Sequence, residues 1–351
     1  MMLNKLLSTY PSWLAHGTEG DVVLSCRIRL ARNLKGIPFP AQADEANLSA
    51  VLNVAKIVVE TLSEAFEQEF IWIDMETLKE VERLVLVEKH LISPLQAVEP
   101  RFRAAIVSAD NSISIMVNEE DHFRIQVMKP GLELAEVFEL ADKIDDIIEA
   151  KMDYAFDKNL GYLTTCPTNI GTALRATAML HMPGLVLGRQ IDNMAHAASQ
   201  VGLNVRGMYG EGSEVLGDIF QVSNQLAMGY SESELIDSMT DMVKQIAAQE
   251  RLTRKQLLAS DRIGVEDMIW RAYGILSYSR TIENTEAMNL YSKILLGIEL
   301  GILPLKKEAI YQLLVATRPN HILDMLFRTG SPYTKDELRA KMAREKILEV
   351  I

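Results

Sequence analysis

Apolar side chains recur at every second position over residues 113–117, where Ile113, Ile115 and Val117 share one side of an extended chain. Period-two alternation marks a strand with one buried face. Short apolar runs predict further strands at 22–28, 70–73, 84–87, 104–107, 123–127 and 203–205. Only Ala109-Asp110-Asn111 separates the runs at 104–107 and 113–117, which is hairpin spacing. That predicts an antiparallel or mixed sheet rather than serial βαβ units. Helical periodicity is expected over 45–66, 132–156 and 171–182.

From about residue 229 the pattern changes. Ser231-Glu232-Ser233-Glu234 is a capping-box sequence, and it opens an amphipathic run reaching Ser260. Helical runs continue at 264–278, 281–300, 306–314 and 335–350, with strand signals nearly absent. The expectation is an α+β fold in two parts. Residues 1–228 form a domain with an antiparallel or mixed sheet flanked by helices, and residues 229–351 form an all-α domain.

Composition narrows the class. The chain has 351 residues, 48% hydrophobic and 24% charged, ample for two cores. No apolar run approaches the ~18 residues of a membrane span. The N-terminus turns polar too soon for a signal peptide. Two cysteines, Cys26 and Cys166, make no disulfide framework. A cytoplasmic protein is expected. A net charge of −12 argues against general nucleic-acid binding and would suit a basic, Arg-rich protein partner.

The chemistry concentrates where the strand at 113–117 ends. Val117-Asn118-Glu119-Glu120-Asp121-His122-Phe123-Arg124 packs three carboxylates, an imidazole and a guanidinium together. Further blocks carry cations and turn residues: Ser25-Cys26-Arg27-Ile28-Arg29-Leu30-Ala31-Arg32-Asn33, Glu88-Lys89-His90-Leu91-Ile92-Ser93-Pro94, Cys166-Pro167-Thr168-Asn169-Ile170-Gly171-Thr172-Ala173-Leu174-Arg175-Ala176, and Arg206-Gly207-Met208-Tyr209-Gly210-Glu211-Gly212. These five blocks, in this order, resemble the guanidino phosphotransferase (phosphagen kinase) family. The chain carries no GxxxxGK[ST] loop and no HRD…DFG set.

The resemblance implies ATP and Mg²⁺ as cofactors, with no direct protein ligand for the metal. It implies nucleotide binding by Ser25, Cys26, Arg27, Ile28 and Arg29, by His90 and Arg124, and by Arg175, Ala176, Thr177, Ala178 and Met179. It extends the nucleotide site to Arg206, Gly207, Met208, Tyr209, Gly210 and Glu211. Arg suits this task because its planar fork of donors matches phosphate oxygens. The acceptor, a guanidinium of pKa ~12.5–13.8, needs a carboxylate to hold it and take a proton. Glu120 is the expected base, Glu211 a second carboxylate clamp, and Cys166 the family's reactive thiol. Cys166 also precedes an expected helix start at Gly171–Thr172, a setting that lowers a thiol pKa. Glu119 and Asp121 either shape the local field, reach Mg²⁺ through water, or are solvated strand-end acids. Tyr209 stands where small-molecule guanidino kinases have an Arg, and Ala173 where a Gly is common.

Small-molecule phosphagen kinases carry a helical domain ahead of the catalytic one, whereas only 24 residues precede Ser25 and 140 come after Glu211. This layout resembles the bacterial protein-arginine kinase branch. In that branch a C-terminal RDxxRA motif forms an allosteric phosphoarginine pocket, which Lys335, Asp336, Arg339 and Ala340 would line here. Lys335 departs from the motif's first Arg, and Asp336–Arg339 has the spacing of an i,i+3 ion pair on a helix face. The branch further implies protein substrates with exposed arginines such as a CtsR-like repressor, a McsA-like activator, a ClpC-like unfoldase, self-association as a homodimer or higher oligomer, and a role in stress response and protein quality control. Two alternatives are a kinase for a free guanidino compound and a phosphoarginine-binding adaptor with little catalysis.

Overall fold

The computed structural model describes residues 6–208 and 215–348. Its strands are β1 (Val23–Arg32), β2 (Phe70–Asp74), β3 (Ala104–Ser108), β4 (Ile113–Val117), β5 (Phe123–Pro130), β6 (Phe156–Asp157), β7 (Gly161–Tyr162), β8 (Leu174–His181), β9 (Leu203–Gly207) and β10 (Ile219–Asn224). Eight of them form one sheet in the order β2-β3-β4-β5-β1-β8-β10-β9, with β6 and β7 a separate hairpin. Every neighbouring pair in the large sheet is antiparallel. The helices are α1 (Glu45–Phe66), α2 (Glu80–Glu88), α3 (Pro94–Val98), α4 (Leu134–Glu149), α5 (Pro183–Leu187), α6 (Ile191–Gln200), α7 (Glu232–Ser260), α8 (Arg262–Tyr278), α9 (Asn284–Glu299), α10 (Lys307–Ala316), α11 (Pro319–Thr329) and α12 (Lys335–Leu348). This is an α+β fold with a helical C-terminal region.

The two faces of the sheet have different fates because side chains alternate along each strand. One face is mainly apolar, with Arg32 paired to Asp145 at 2.6 Å at its edge. Cys26, Ile28 and Leu30 of β1, Ile125 and Val127 of β5, and Ala176, Ala178 and Leu180 of β8 are buried there beneath α1, α4 and α7. In α1 the buried stripe is Val51, Ala55, Val58 and Leu62, a helical repeat. Asp44 caps this helix by accepting from the Asn47 N–H at 2.8 Å. The capping box of α7 forms as its sequence predicts: Glu234 accepts the Ser231 N–H at 2.8 Å and Ser231 Oγ accepts the Glu234 N–H at 3.3 Å. The expected division at 228/229 falls just before α7, whose first half (Leu235, Ile236, Met239, Val243) belongs to the sheet's own core.

The opposite face is covered only in part. Residues near the N-terminus pack with α2 on one portion, joining Leu7, Leu86 and Leu91 to Val107 and Met116. The C-terminal helices cover another, joining Ile269, Tyr291 and Leu314 to Leu24, Met128 and Met179. Between these two coverings a polar strip of the sheet stays open, and the site lies there.

Two expected elements are corrected. Residues 84–87 lie inside α2 rather than in a strand, and residues 171–182 hold β8 rather than a helix. The helix expected over 132–156 ends at Glu149, and β10, α6 and α11 are elements that the periodicity reading omitted. Glu88 anchors α11. Its carboxylate accepts the backbone N–H groups of Asn320 and His321, each at 2.9 Å, and pairs with His321 Nδ1 at 2.7 Å. A carboxylate at this end complements the helix dipole.

Candidate active site

Register places the arginines together. Arg29 of β1 sits opposite Arg175 of β8 and opposite Gln126 of β5, while Ala31 faces Arg124. Directly paired residues of an antiparallel sheet share a face, so Arg27, Arg29, Arg124 and Arg175 project into one trough. Arg206 joins them from β9, across from Gln221. A cavity of about 690 Å³ is lined by Arg29, Arg124, Arg175 and Arg206 with Glu120, Cys166 and Leu226. A second, of about 190 Å³, adjoins it through Arg29, Arg175 and Arg206 and reaches Arg27 and His90.

Charge in this trough is unbalanced. Arg27 donates to Gln221 Oε1 at 3.2 Å, yet its Nε and that of Arg29 have no hydrogen-bond partner. Among the described residues no carboxylate pairs with either. Burial, then repulsion from Arg175 and Arg124, pulls Arg27 down to about 10. Burial and the same kind of crowding hold Arg29 well below the usual guanidinium range. Buried cations crowded in this way favour an anion among them. His90, in a left-handed backbone conformation (φ 59°), borders the smaller cavity. Burial, then Arg27, Arg318 and Arg29, pulls its imidazole down to about 3, so it is neutral at physiological pH.

The acidic turn divides its labour. Asn118 takes φ 55° and its side chain donates to the carbonyls of Leu48 at 3.0 Å and Phe102 at 2.9 Å. His122 is fully buried, with Nδ1 accepting the Leu34 N–H at 3.0 Å and Nε2 at 3.0 Å from the Pro38 carbonyl. Asp121 is buried too, accepting from Asn33 Nδ2 at 2.7 Å and from the Thr165 N–H at 2.8 Å. It therefore fastens the loop that leads into Cys166, and neither a solvated role nor contact with Mg²⁺ fits its position. Glu119 is buried, pairs with Arg124 Nη1 at 2.7 Å and accepts from Ser93 Oγ at 2.6 Å. Only Glu120 faces the cavity, in an ion pair with Arg124 Nη2. Burial alone would lower Arg124, but Glu119, Glu120 and Asp121 together raise it.

Cys166 lines the same cavity, with Sγ 3.1 Å from Thr168 Oγ1. A three-residue 3₁₀ turn (Pro167–Asn169) comes directly after it and leads to β8, so the expected helix start at Gly171–Thr172 is absent. Ala173, where Gly is common in the family, adopts φ 51°.

Other expected site residues fall elsewhere. The side chains of Cys26, Ile28, Ala176 and Ala178 lie on the apolar face, because a strand sends alternate residues away from the trough. Cys26 Sγ accepts the Glu133 N–H at 3.2 Å, and burial pushes its thiol up to about 12. Thr177 is on the trough face, while Ser25 and Met179 are covered there. Gly207 ends β9 and Met208 is buried against the C-terminal helices. Tyr209, Gly210 and Glu211 lie outside the described residues. Gln221 and Thr165 were missed by sequence reading; β10's alternation was the available signal for the first. No cluster of three His, Cys, Asp or Glu side chains suited to a metal occurs among the described residues.

At the C-terminal motif, Arg339 is 2% exposed. It donates to the Thr317 carbonyl at 2.9 Å and the Ile282 carbonyl at 2.8 Å, and pairs with Asp336. Ala340 is fully buried. This corrects the expected phosphoarginine pocket for these two residues: Arg339 ties α12 to the end of α10 and to the turn before α9, and the i,i+3 pair is present.

Comparison with known proteins agrees with this geometry. Residues 53–253 match the family described as ATP:guanido phosphotransferase, C-terminal catalytic domain. The chain belongs to that family. Residues 262–350 match the protein-arginine kinase McsB C-terminal domain. Family members of similar sequence include proteins named protein-arginine kinase from Brevibacillus brevis, 46% identical over 96% of this chain and 95% of the relative, and from Desulforamulus reducens, 44% identical over 99% and 98%. Among solved structures, the duplicated taurocyamine kinase from Schistosoma mansoni with bound transition-state analogue components aligns with TM-score 0.61 at 23% identity, covering 74% of this chain and 38% of that one. Lombricine kinase aligns with TM-score 0.57 at 23% identity, over 72% and 71%. At that identity the likeness is one of fold. The match begins after β1, whose register sets Arg27 and Arg29 beside Arg124 and Arg175.

Proposed function

We propose that the chain is an ATP-dependent protein-arginine kinase. The observation that carries this reading is Glu120, the one carboxylate of its turn that faces the cavity, in a trough where Arg27 and Arg29 have no carboxylate partner among the described residues. The polyphosphate would lie across Arg27, Arg29, Arg175 and Arg206 near neutral His90, and Arg124 would meet the γ-phosphoryl group. Mg²⁺ would arrive on the phosphates, which fits a trough whose acids are already engaged.

Phosphoryl transfer is a matter of positioning and charge stabilisation. A substrate guanidinium entering the larger cavity would exchange places with Arg124 as the partner of Glu120. As the N–P bond forms, the bond from phosphorus to the β-phosphate oxygen breaks, ADP departs, and the guanidinium proton passes to Glu120. Glu211 would supply the second clamp and Cys166 a polar wall. The mouth of the cavity carries exposed Leu226, which suits an acceptor held on a polypeptide. The wider setting belongs to the same proposal and rests on the family resemblance alone: a cytoplasmic homo-oligomer in protein quality control, acting with a CtsR-like repressor, a McsA-like activator and a ClpC-like unfoldase. No described helix is long and apolar enough to cross a membrane.

Mass spectrometry of an Arg-containing protein such as casein, after incubation with enzyme, ATP and Mg²⁺ at neutral pH, tests the reading. Phosphoarginine should appear on the protein and not on free arginine. Glu120→Gln should lower the rate by about 10²–10⁴ while ADP still binds. Equal transfer to free arginine, or full activity of the variant, would refute it.

A further inference from the structure

A cavity of about 230 Å³ lies away from the trough, between residues 7–10, Lys89 at the end of α2, and the helices α10 and α11. Leu7, Val315, Ala316 and Met325 give it an apolar wall. None of its lining residues borders the Arg trough, and none belongs to the 335–340 motif.

Its polar end carries Lys89, Arg328 and His321 together with the Asp324 carboxylate. Lys89 is 1% exposed, and Nζ donates to the carbonyls of Leu6 and Thr9, each at 2.6 Å. Two carbonyl dipoles do not neutralise an ammonium, and no carboxylate among the described residues lies within ion-pair distance of it. Arg328 adds a second positive group close enough, after burial, to depress the Lys89 ammonium further, to about 7. The Arg328 guanidinium is itself held by Asp324 at 2.8 Å. His321 completes this end: Nδ1 faces Glu88, while Nε2 is buried with no hydrogen-bond partner. A buried cation without a counter-ion is costly, and so is a buried polar atom without a partner. Both costs fall on the wall of one small cavity, and one ligand could relieve both.

We propose that this cavity is a second ligand site, for a small anion carrying a short apolar tail. The anionic group sits between Lys89 and His321 Nε2, and the tail lies against Val315, Ala316 and Met325. His321 then lies between Glu88 on its Nδ1 side and the ligand on its Nε2 side. Carboxylate and phosphate share this chemistry. The site is independent of the kinase reading.

Calorimetry on the full chain, with ADP and Mg²⁺ saturating the trough, tests it using hexanoate and butyl phosphate as probes. At least one acid should bind saturably at one site per chain, with hexanol about tenfold weaker or worse. Comparing the two acids identifies the preferred head group. Lys89→Met should abolish binding. Because that variant also frees the N-terminal segment, Met325→Trp, which fills the cavity and keeps every cation, should abolish it as well. Absence of binding by both acids, equal binding of hexanol, competition by excess ADP, or binding that survives Met325→Trp would each overturn the proposal.

Discussion

Arg29 in the trough is half-buried and Arg339 in the C-terminal region fully so, and they mean opposite things. Arg339 meets two backbone carbonyls and Asp336. Arg254 is similar, with Glu250 at 2.6 Å and the carbonyls of Asp21 and His181 at 3.0 Å. Among the described residues Arg29 has neither an acid partner nor a partner for Nε, and the groups crowding it are chiefly cations. Burial alone does not separate a structural arginine from a ligand-binding one. The count of acceptors does. The C-terminal helices use arginine as a cross-brace, whereas the open strip of the sheet leaves Arg27 and Arg29 without a carboxylate partner among the described residues.

The largest effect that would sharpen this contrast is expected at Arg339. Arg339→Ala should cost about 3–5 kcal/mol of stability, since it orphans two buried carbonyls, unpairs Asp336 and leaves a void. Nucleotide affinity should stay unchanged. Denaturant unfolding beside ADP titration reads both quantities, and a loss of ADP affinity without a loss of stability would break the contrast. Next, Arg29→Ala should weaken ADP binding by about 100-fold, or about 2.7 kcal/mol. Its melting temperature should hold or rise, because the change removes a cation with which no described carboxylate pairs; a clear fall would mean that Arg29 is a brace after all. The smallest effect is at Ala173. Relief of the left-handed strain by Ala173→Gly is worth about 1–2 kcal/mol, partly offset by the greater entropy of the unfolded glycine chain. A net gain under about 1 kcal/mol should appear in the unfolding midpoint, and a net loss would show that the φ 51° turn carries no strain.

Much of this was legible in the sequence. The hairpin at 104–127, the capping box at Ser231 and the stripe of α1 all carried their own local signals. The trough arginines were legible as blocks, but their convergence was not, because it depends on the register of β1 with β5 and β8. β8 misled for a physical reason. Leu174-Arg175-Ala176-Thr177-Ala178-Met179-Leu180 is rich in good helix formers, and its alternation is masked because the core side is made of small alanines that fit under the covering helices. Tertiary pairing on both edges overrides that propensity. Residues 84–87 misled in the other direction: four apolar residues fit a strand or a buried helix turn equally, and the contact with α11 that decides the matter is remote in sequence. For Cys26 the block resemblance marked a segment, while the strand's pleat sends alternate members to opposite faces.

Three consecutive residues, Glu88, Lys89 and His90, each answer to a different part of the molecule. Glu88 holds the start of α11, Lys89 grips the carbonyls of the N-terminal segment, and His90 stands at the rim of the smaller cavity in a left-handed conformation. There is no slack residue among them to absorb a shift. A shift at any one client is felt within three consecutive residues of the other two. The helical region at the end of the chain is thus mechanically in series with the place where a nucleotide base or phosphate would rest, and trimming it away should be felt there first.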